Sequence, residues 1–296
     1  MPYRIPYKPK GTWVKCNFHT HSMENSPCGK LPLLDVVRMY AQNGMTCMAI
    51  TDHNIRTNLQ EIRRLYPNLI FLEGFEYSTT PNFVVCSEKI DTPIPITMES
   101  ILSNYQDSLR FICHPSPYTD GRVYWSRDAI RNMASLFDGM EIYNGHYGIK
   151  RMRDSRYTPD YRATWDNLLS EGCHLWGYAN DDFHEIDDFN NAFNMVLVNY
   201  LTAANVIQAA KNGSSYISTG LILRSLIFEK DFIQIELNEA AEGRLIGSSG
   251  KIILRQEDSS FAYDITNLIE PYIRFEAVSD NKLLCLQPFF YDPATK

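Results

Sequence analysis

The chain lacks any run of about 18 consecutive apolar residues, the length a helix needs to cross a bilayer. No membrane-spanning helix is therefore expected. It also lacks a basic run: 28 Lys and Arg are outnumbered by 35 Asp and Glu, giving a formal net charge of −7. Extended phosphate-backbone binding needs a basic face that releases counterions, so nucleic acid is disfavoured as a partner. The seven cysteines (16, 28, 47, 86, 113, 173 and 285) are odd in number and contain no CxxC pair. That fits neither a disulfide framework nor a zinc ribbon, and most are expected to be small buried hydrophobes. Glycine and proline, 15 each, are too few for a collagen-like or low-complexity chain. The opening MPYRIPYKPKGTW has no apolar segment of signal-peptide length, so the expectation is a soluble, cytoplasmic protein.

What is present is a composition that can bury a large core: 296 residues, 44% hydrophobic and 12% aromatic. From Trp13 to about Gly220, strand-length apolar runs alternate with segments of helical period. WVKCNF, MTCMAI, LIFL, RFIC, GMEIY and HLWGYA read as strands, with FVVC as an extra one. Leu33, Val36, Val37, Tyr40 and Ala41 fall on one helical face that stops at Gly44. In TMESILSNYQDSL the spacing of Ile101, Leu102, Tyr105 and Leu109 predicts a buried helical face, and Ser126 is placed to cap the next helix. About seven such βα units argue for a TIM-like barrel. After Gly220 the period changes to two, most clearly in YIRFEAV, and short strands follow one another. The expected organisation is an α/β barrel over residues 1–220 and a small antiparallel, sandwich-like β domain over 221–296, with no flexible spacer between them.

Five of the seven histidines lie at or just beyond strand ends: His19 and His21 in FHTH, His53 in TDH, His114 in CHP and His184 in NDDFH. Carboxylates occupy the same kind of position: Asp52, Glu76, Glu141, Asp181 and Asp182. In a βα barrel these ends converge on one face. A ring of imidazole nitrogen and carboxylate oxygen suits Zn, Mn or Fe, and one carboxylate can bridge two ions. Each motif alone is common by chance; their joint placement carries the argument.

HTH, AITDHN, GFE, ICHP, EIYN and DDFH, in this order, resemble the PHP family, named for polymerase and histidinol phosphatase, across about residues 13–220. IQAAKNGSSYISTG is similar to the closing segment of its stand-alone members. The resemblance implies a distorted (β/α)7 barrel, two or three divalent transition metal ions, and phosphoester hydrolysis. It implies that His19, His21 and Asp182 hold a first ion, that Glu76 bridges, that His114 serves a second ion, and that His53 and His184 serve a third. It implies, further, that Glu76 and Asp182 are the catalytic carboxylates. Glu73 is a rival for the bridge, but the family's Gly-x-Glu pattern matches Gly74 to Glu76. Two departures stand out. An Asp or His customarily follows the HxH, where this chain offers Glu24 or Cys28; and Asn144, followed by His146, stands where many members have a second-metal histidine.

Asp52, which precedes a ligand histidine, and Glu141 are candidates to orient imidazoles by accepting an N–H. Lys30, Arg56 and Arg122 lie in loops after candidate ligands and are candidates to bind phosphate. Tyr118, Tyr143 and Tyr147 are candidates to line the cleft. The leading expectation is a phosphoesterase that hydrolyses a small phosphorylated substrate through a metal-bridging hydroxide. The same site serves, alternatively, a carboxylic ester, carbamate or amide, and a third class is a non-catalytic binding module with a degenerate centre. Nothing in the pattern specifies an oligomeric state or the substrate itself.

Overall fold

A computed structural model describes residues 3–292, apart from 9, 80 and 92. The strands and helices of the first half, in chain order, are β1 (Tyr3–Arg4), β2 (Thr12–Asn17), α1 (Leu33–Gln42), β3 (Cys47–Ile50), α2 (Gln60–Leu65), β4 (Ile70–Tyr77), β5 (Phe83–Ser87), α3 (Met98–Asn104), β6 (Leu109–Ile112), α4 (Arg127–Met133) and β7 (Gly139–Asn144). Then come α5 (Gly145–Gly148), α6 (Lys150–Asp154), α7 (Arg162–Ser170), β8 (Trp176–Asn180), β9 (Phe193–Val198), α8 (Ala203–Lys211) and β10 (Ser215–Ser218). Six strands follow: β11 (Leu223–Glu229), β12 (Phe232–Ile246), β13 (Ile252–Asp264), β14 (Tyr272–Ser279), β15 (Lys282–Leu286) and β16 (Phe289–Tyr291). Among the described residues no helix is long and apolar enough to cross a membrane.

Local signals account for most of these elements. Leu33, Val36, Val37 and Tyr40 recur at helical spacing and are all buried, each such burial stabilising α1 against the sheet by roughly 1.5–3 kcal/mol. Ser126 caps α4 by accepting from the Ala129 amide at 3.2 Å, as its sequence position predicts. The helix at Met98 is shorter than expected: it ends at Asn104, and Leu109 opens β6 instead of extending the helical face.

The architecture is a mixed α/β sheet, and here the expectation of a closed parallel barrel needs correction. β2, β3 and β4 pair in parallel, as do β6, β7 and β8, but β5 lies antiparallel between β4 and β6. β9, which the sequence reading omitted, pairs antiparallel with β2. Among the described residues the strand order ends at β8, so backbone pairing does not close the sheet. Side-chain amides span the gap. Asn194 on β9 accepts from the Ala179 amide at 3.1 Å and donates to its carbonyl at 2.7 Å. Gln287 does the same for Gly177, at 2.8 and 2.7 Å. Each amide presents one donor and one acceptor, as a peptide unit does, and so substitutes for a ladder pair.

Inside the strands' curve, Cys16, Cys47, Cys86 and Cys113 pack with Phe18, Leu72, Phe111 and Val196, while α8 contributes Val206, Ile207 and Ala210. Six of the seven cysteines are buried and none is bridged, as their pattern predicts. The strands after Gly220 are antiparallel, as period two indicates, and they are joined to the preceding strands through β10–β15 pairing. FIQIEL is the start of a 15-residue strand, and the run from Ile252 to Asp264 is one strand where two short ones were expected.

Candidate metal centre

The centre is built on the ends of β2, β4, β6 and β8 and the loops beyond β3 and β8. Past β2, the Phe18 amide is caught by Asn180 Oδ1 at 2.8 Å, which turns His19 and His21 inward; both are essentially buried. His19 Nδ1 stands 3.0 Å from Glu141 Oε1. A carboxylate only accepts, so Nδ1 donates here and Nε2 is left to face the centre. His21 Nδ1 lies 3.3 Å from the Ser26 hydroxyl, which itself donates to Asp52 at 2.7 Å, so this ring's Nε2 also faces the centre. The two Nε2 atoms face each other at 3.2 Å. Asp182 Oδ1 is 3.2 Å from each, and Glu76 Oε2 is 3.5 and 3.4 Å away.

Glu76 comes from β4, where Gly74 permits close approach: a Cβ there would meet the Val85 carbonyl at 2.5 Å and the Thr51 methyl at 2.9 Å. Glu73 and Glu76 are an odd number of residues apart, so they leave opposite faces of the strand. Glu73 is tied to Arg63 at 2.8 Å and to the Ile90 amide at 2.9 Å, away from the histidines. Glu76 Oε1 faces His114 Nε2 at 3.1 Å, and Oε2 faces His53 Nδ1 at 2.8 Å. Its two oxygens thus look toward two different imidazole groups. His114 and Asp182 both adopt positive φ, +27° and +50°, a conformation costing roughly 1–3 kcal/mol for residues other than glycine. Such strain at two adjacent side-chain donors is characteristic of a functional site.

The electrostatics follow this crowding. Burial opposes ionisation of Glu76, but the imidazoles of His114, His19 and His53 beside it outweigh it and hold the carboxyl well below its usual range. Asp182 is likewise held down against burial, by the charges of His19 and His184 and by a hydrogen bond from His21. Burial and the neighbouring His184 lower His21 to about 4. His53 and His184 move the other way against burial, to about 10 through Cys28 and Glu76 and to about 9 through Asp182 and Cys28. Burial would raise the Cys28 thiol; His184 and His53 prevail and bring it down to about 6.

The donor set fits divalent ions. Imidazole Nε2 atoms and carboxylate oxygens converge on one buried volume. The buried atoms Glu76 Oε2, His53 Nδ1 and His114 Nδ1 lack aligned hydrogen-bond partners, although the first two are only 2.8 Å apart. Among the described residues, four groups bring ligand atoms within 4.8 Å of one another: His19, His21 and Glu76; His19, Cys113 and His114; His21, Cys28, His53 and His184; and His146, His184 and Asp188.

All seven ligands expected from the sequence are therefore brought together, with Glu141 behind His19. Glu141 also accepts from Asn180, Asn144 and the His114 amide, at 2.8–3.0 Å. Other expectations are corrected. Glu24 does not face the centre; both its oxygens accept from the Leu33 amide at 3.0 Å and cap α1. Asp52 does not touch the His53 imidazole; it accepts from Ser22, Ser26 and Thr57, bracing the loop after His21. Asn144 spends its nitrogen on Glu141 and Asp182 and its oxygen on the Tyr147 amide, so it orients carboxylates and is not a ligand as placed. His146 is turned to Asp188 at 2.9 Å and packs on the His184 ring.

The basic candidates sit at the periphery. Arg56 is bound to the Ile90 carbonyl and lies 3.6 Å from Glu73. Arg122 pairs with Asp120 and covers the Tyr118 ring at 4.1 Å. Lys30 is exposed, and its backbone amide bonds the His184 carbonyl at 2.7 Å. Sequence reasoning missed Asn82, which donates to Glu76 at 3.0 Å, and Cys113, 3.5 Å from the same oxygen. It also missed Tyr124, which stands beside His114 with Tyr147, a residue expected to line the cleft; their ring centroids lie 5.4 and 5.6 Å from the imidazole. Cys113 was visible as the residue before a strand-end histidine, whereas Asn82 carries no local signal.

This α/β fold is that of PHP-like metal-dependent phosphoesterase structures. A two-domain protein from Bacteroides vulgatus ATCC 8482 containing a predicted PHP-like metal-dependent phosphoesterase matches over 98% of both chains, with a TM-score of 0.56 and 13% identity. PsfC from Pseudomonas syringae PB-5123 matches 67% of this chain and 87% of its own at TM-score 0.45 and 11% identity. A protein of Bifidobacterium adolescentis ATCC 15703, assigned as a metal-dependent phosphoesterase, matches 69% and 98% at TM-score 0.44 and 11% identity. At these identities the likeness is one of fold. No family model matches the chain, and no curated protein matches its sequence.

Proposed function

We propose that the chain is a metal-dependent hydrolase of the PHP type, acting on a small phosphorylated ester. One observation carries this reading: Glu76 directs one oxygen toward His19, His21 and His53 and the other toward His114, the layout of a carboxylate shared between two cations. His19, His21, Asp182 and Glu76 would hold one ion, and Glu76 with His114 the second. Divalent ions so held supply Lewis acidity toward the ester and bring the pKa of water from 15.7 toward about 7.

The chain's own residues do the rest. Glu76 and Asp182 stay ionised because histidines surround them. Glu141 fixes the His19 tautomer, and Asn144 holds Glu141 and Asp182 in register. Phosphate as the substrate group is supported by the fold shared with the Bacteroides vulgatus protein and by the exposed Lys30 beside His184. A carboxylic ester, carbamate or amide is the second reading, favoured by the engagement of Arg56 and Arg122 in ion pairs and by the tyrosines around His114. The acidic net charge favours a small substrate over nucleic acid.

Metal analysis of the purified protein, with turnover of a phosphomonoester panel, a chromogenic phosphodiester and a carboxylic ester control, separates these readings. Phosphate release that disappears on chelation and returns with added metal is the expected result. Ester cleavage alone establishes the second reading, and metal binding without turnover of any of them makes the protein a binding module.

A further inference from the structure

The loop between His21 and α1 is built tightly around Cys28. The Ser26 amide donates to the Ser22 carbonyl at 3.0 Å, the Gly29 amide to the Ser26 carbonyl at 2.9 Å, and the Lys30 amide to the His184 carbonyl at 2.7 Å. Gly29 is required where it stands, since a Cβ there would lie 2.7 Å from the Ser22 carbonyl. Asn25 pins the loop to Thr57 at 2.8 Å, and Asp52 holds Ser22 and Ser26. The thiol is thereby presented to three imidazoles.

Cys28 Sγ is 3.2 Å from His53 Nε2. His184 Nδ1 is committed to the Asp182 carbonyl at 2.6 Å, which leaves Nε2 as its free donor. His21, Cys28, His53 and His184 bring ligand atoms within 4.8 Å of one another. With metal–sulfur and metal–nitrogen bonds of roughly 2.3 and 2.0 Å, two ligands of one tetrahedral ion lie at about the separation seen for Cys28 and His53.

We propose that Cys28, His53 and His184 form a thiolate-bearing metal position at the edge of the centre, selective for a thiophilic divalent ion such as zinc or ferrous iron over manganese. Sulfur ligands favour the softer ions, whereas positions built from imidazole and carboxylate discriminate less. The inference rests on the metal-centre reading above and goes beyond it, because it makes one position chemically unlike the rest.

Cobalt substitution of the full chain tests it by a readout independent of turnover. Cobalt at this position gives a thiolate-to-cobalt charge-transfer band in the near ultraviolet. The band is expected in the wild type, absent in Cys28→Ala and Cys28→Ser, and retained in Cys113→Ala, the other cysteine near the histidines. The ion count of Cys28→Ser and His184→Ala should fall by one, and that ion should be the last displaced by excess manganese. Cobalt bound without the band, a band that survives in Cys28→Ser, or an unchanged ion count in both variants overturns the proposal while leaving the metal centre standing. Failure of the wild type to bind cobalt at all overturns both.

Discussion

Glu76 is one carboxylate facing four imidazoles, at 2.8–3.5 Å. Replacing it with glutamine removes the charge that two ions would share, so Glu76→Gln is expected to lose more than about 100-fold in kcat with a fall in bound metal. Glu73→Gln, on the opposite face and paired with Arg63, should keep its metal content; equal metal loss in both variants would sink the bridging role. Glu141→Gln keeps the shape but weakens the hold on the His19 tautomer, and the expected cost is about 10–100-fold in metal affinity, read by chelator competition. The candidate ligands were legible because each stands beside a strand end, a position that local sequence reveals. Cys28 and Glu24 were indistinguishable on spacing, and what separates them is tertiary: α1 needs a cap at Leu33, and Glu24 supplies it.

At the scale of elements, α7 and β14 are joined by buried charge. Arg274, 2% exposed, makes a two-pronged contact with Asp166 at 2.8 and 2.7 Å and reaches Glu276 at 2.8 Å. Asp166→Ala strands that guanidinium, and a loss of about 3–5 kcal/mol is expected in denaturant unfolding. Burial would raise the Glu276 carboxyl, but the charges of Arg274 and Arg162 bring it down to about 2. Its folded value lies below its unfolded one, so it stabilises the fold above about pH 4.5, and that contribution is lost as pH falls toward 2. The stability gap between wild type and Glu276→Gln should therefore narrow across that window. The alternation of strands and helices foretold most of the elements before Gly220, but neither β9 nor the sheet's gap. That depends on Asn194 and Gln287, polar residues within otherwise apolar runs, whose partners lie 15 and 110 residues away in the chain. Asn194→Ala and Gln287→Ala should each cost about 1–3 kcal/mol and speed hydrogen exchange of the Ala179 and Gly177 amides respectively. Unchanged exchange would refute the bridging role.

For the whole molecule, the change of period at Gly220 marks a change of topology, from mixed α/β to all antiparallel strands, within one continuous sheet. We propose residue 221 as the boundary between two units that do not separate. Limited proteolysis is expected to cut poorly there; rapid release of a stable C-terminal fragment would contradict it. Metal should act on the molecule as a ligand of the native state alone, raising stability by about 2.7 kcal/mol at a hundredfold excess over Kd. Thermal unfolding with zinc and with chelator measures this, and coincident curves would argue against a centre held only by the folded chain.

The amide of Gln287 also sets an order of events during synthesis. β8, which leads into Asp182, gains this edge partner only from a residue 110 positions after Gly177. At about 5–20 residues per second the ribosome needs roughly 5–20 s to deliver it. During that interval one side of β8 is a sheet edge with unanswered peptide groups, the kind of surface that recruits a wrong strand. The Gly177 peptide is thus answered only after every candidate metal ligand has been made, the Asn194 bridge to Ala179 coming earlier.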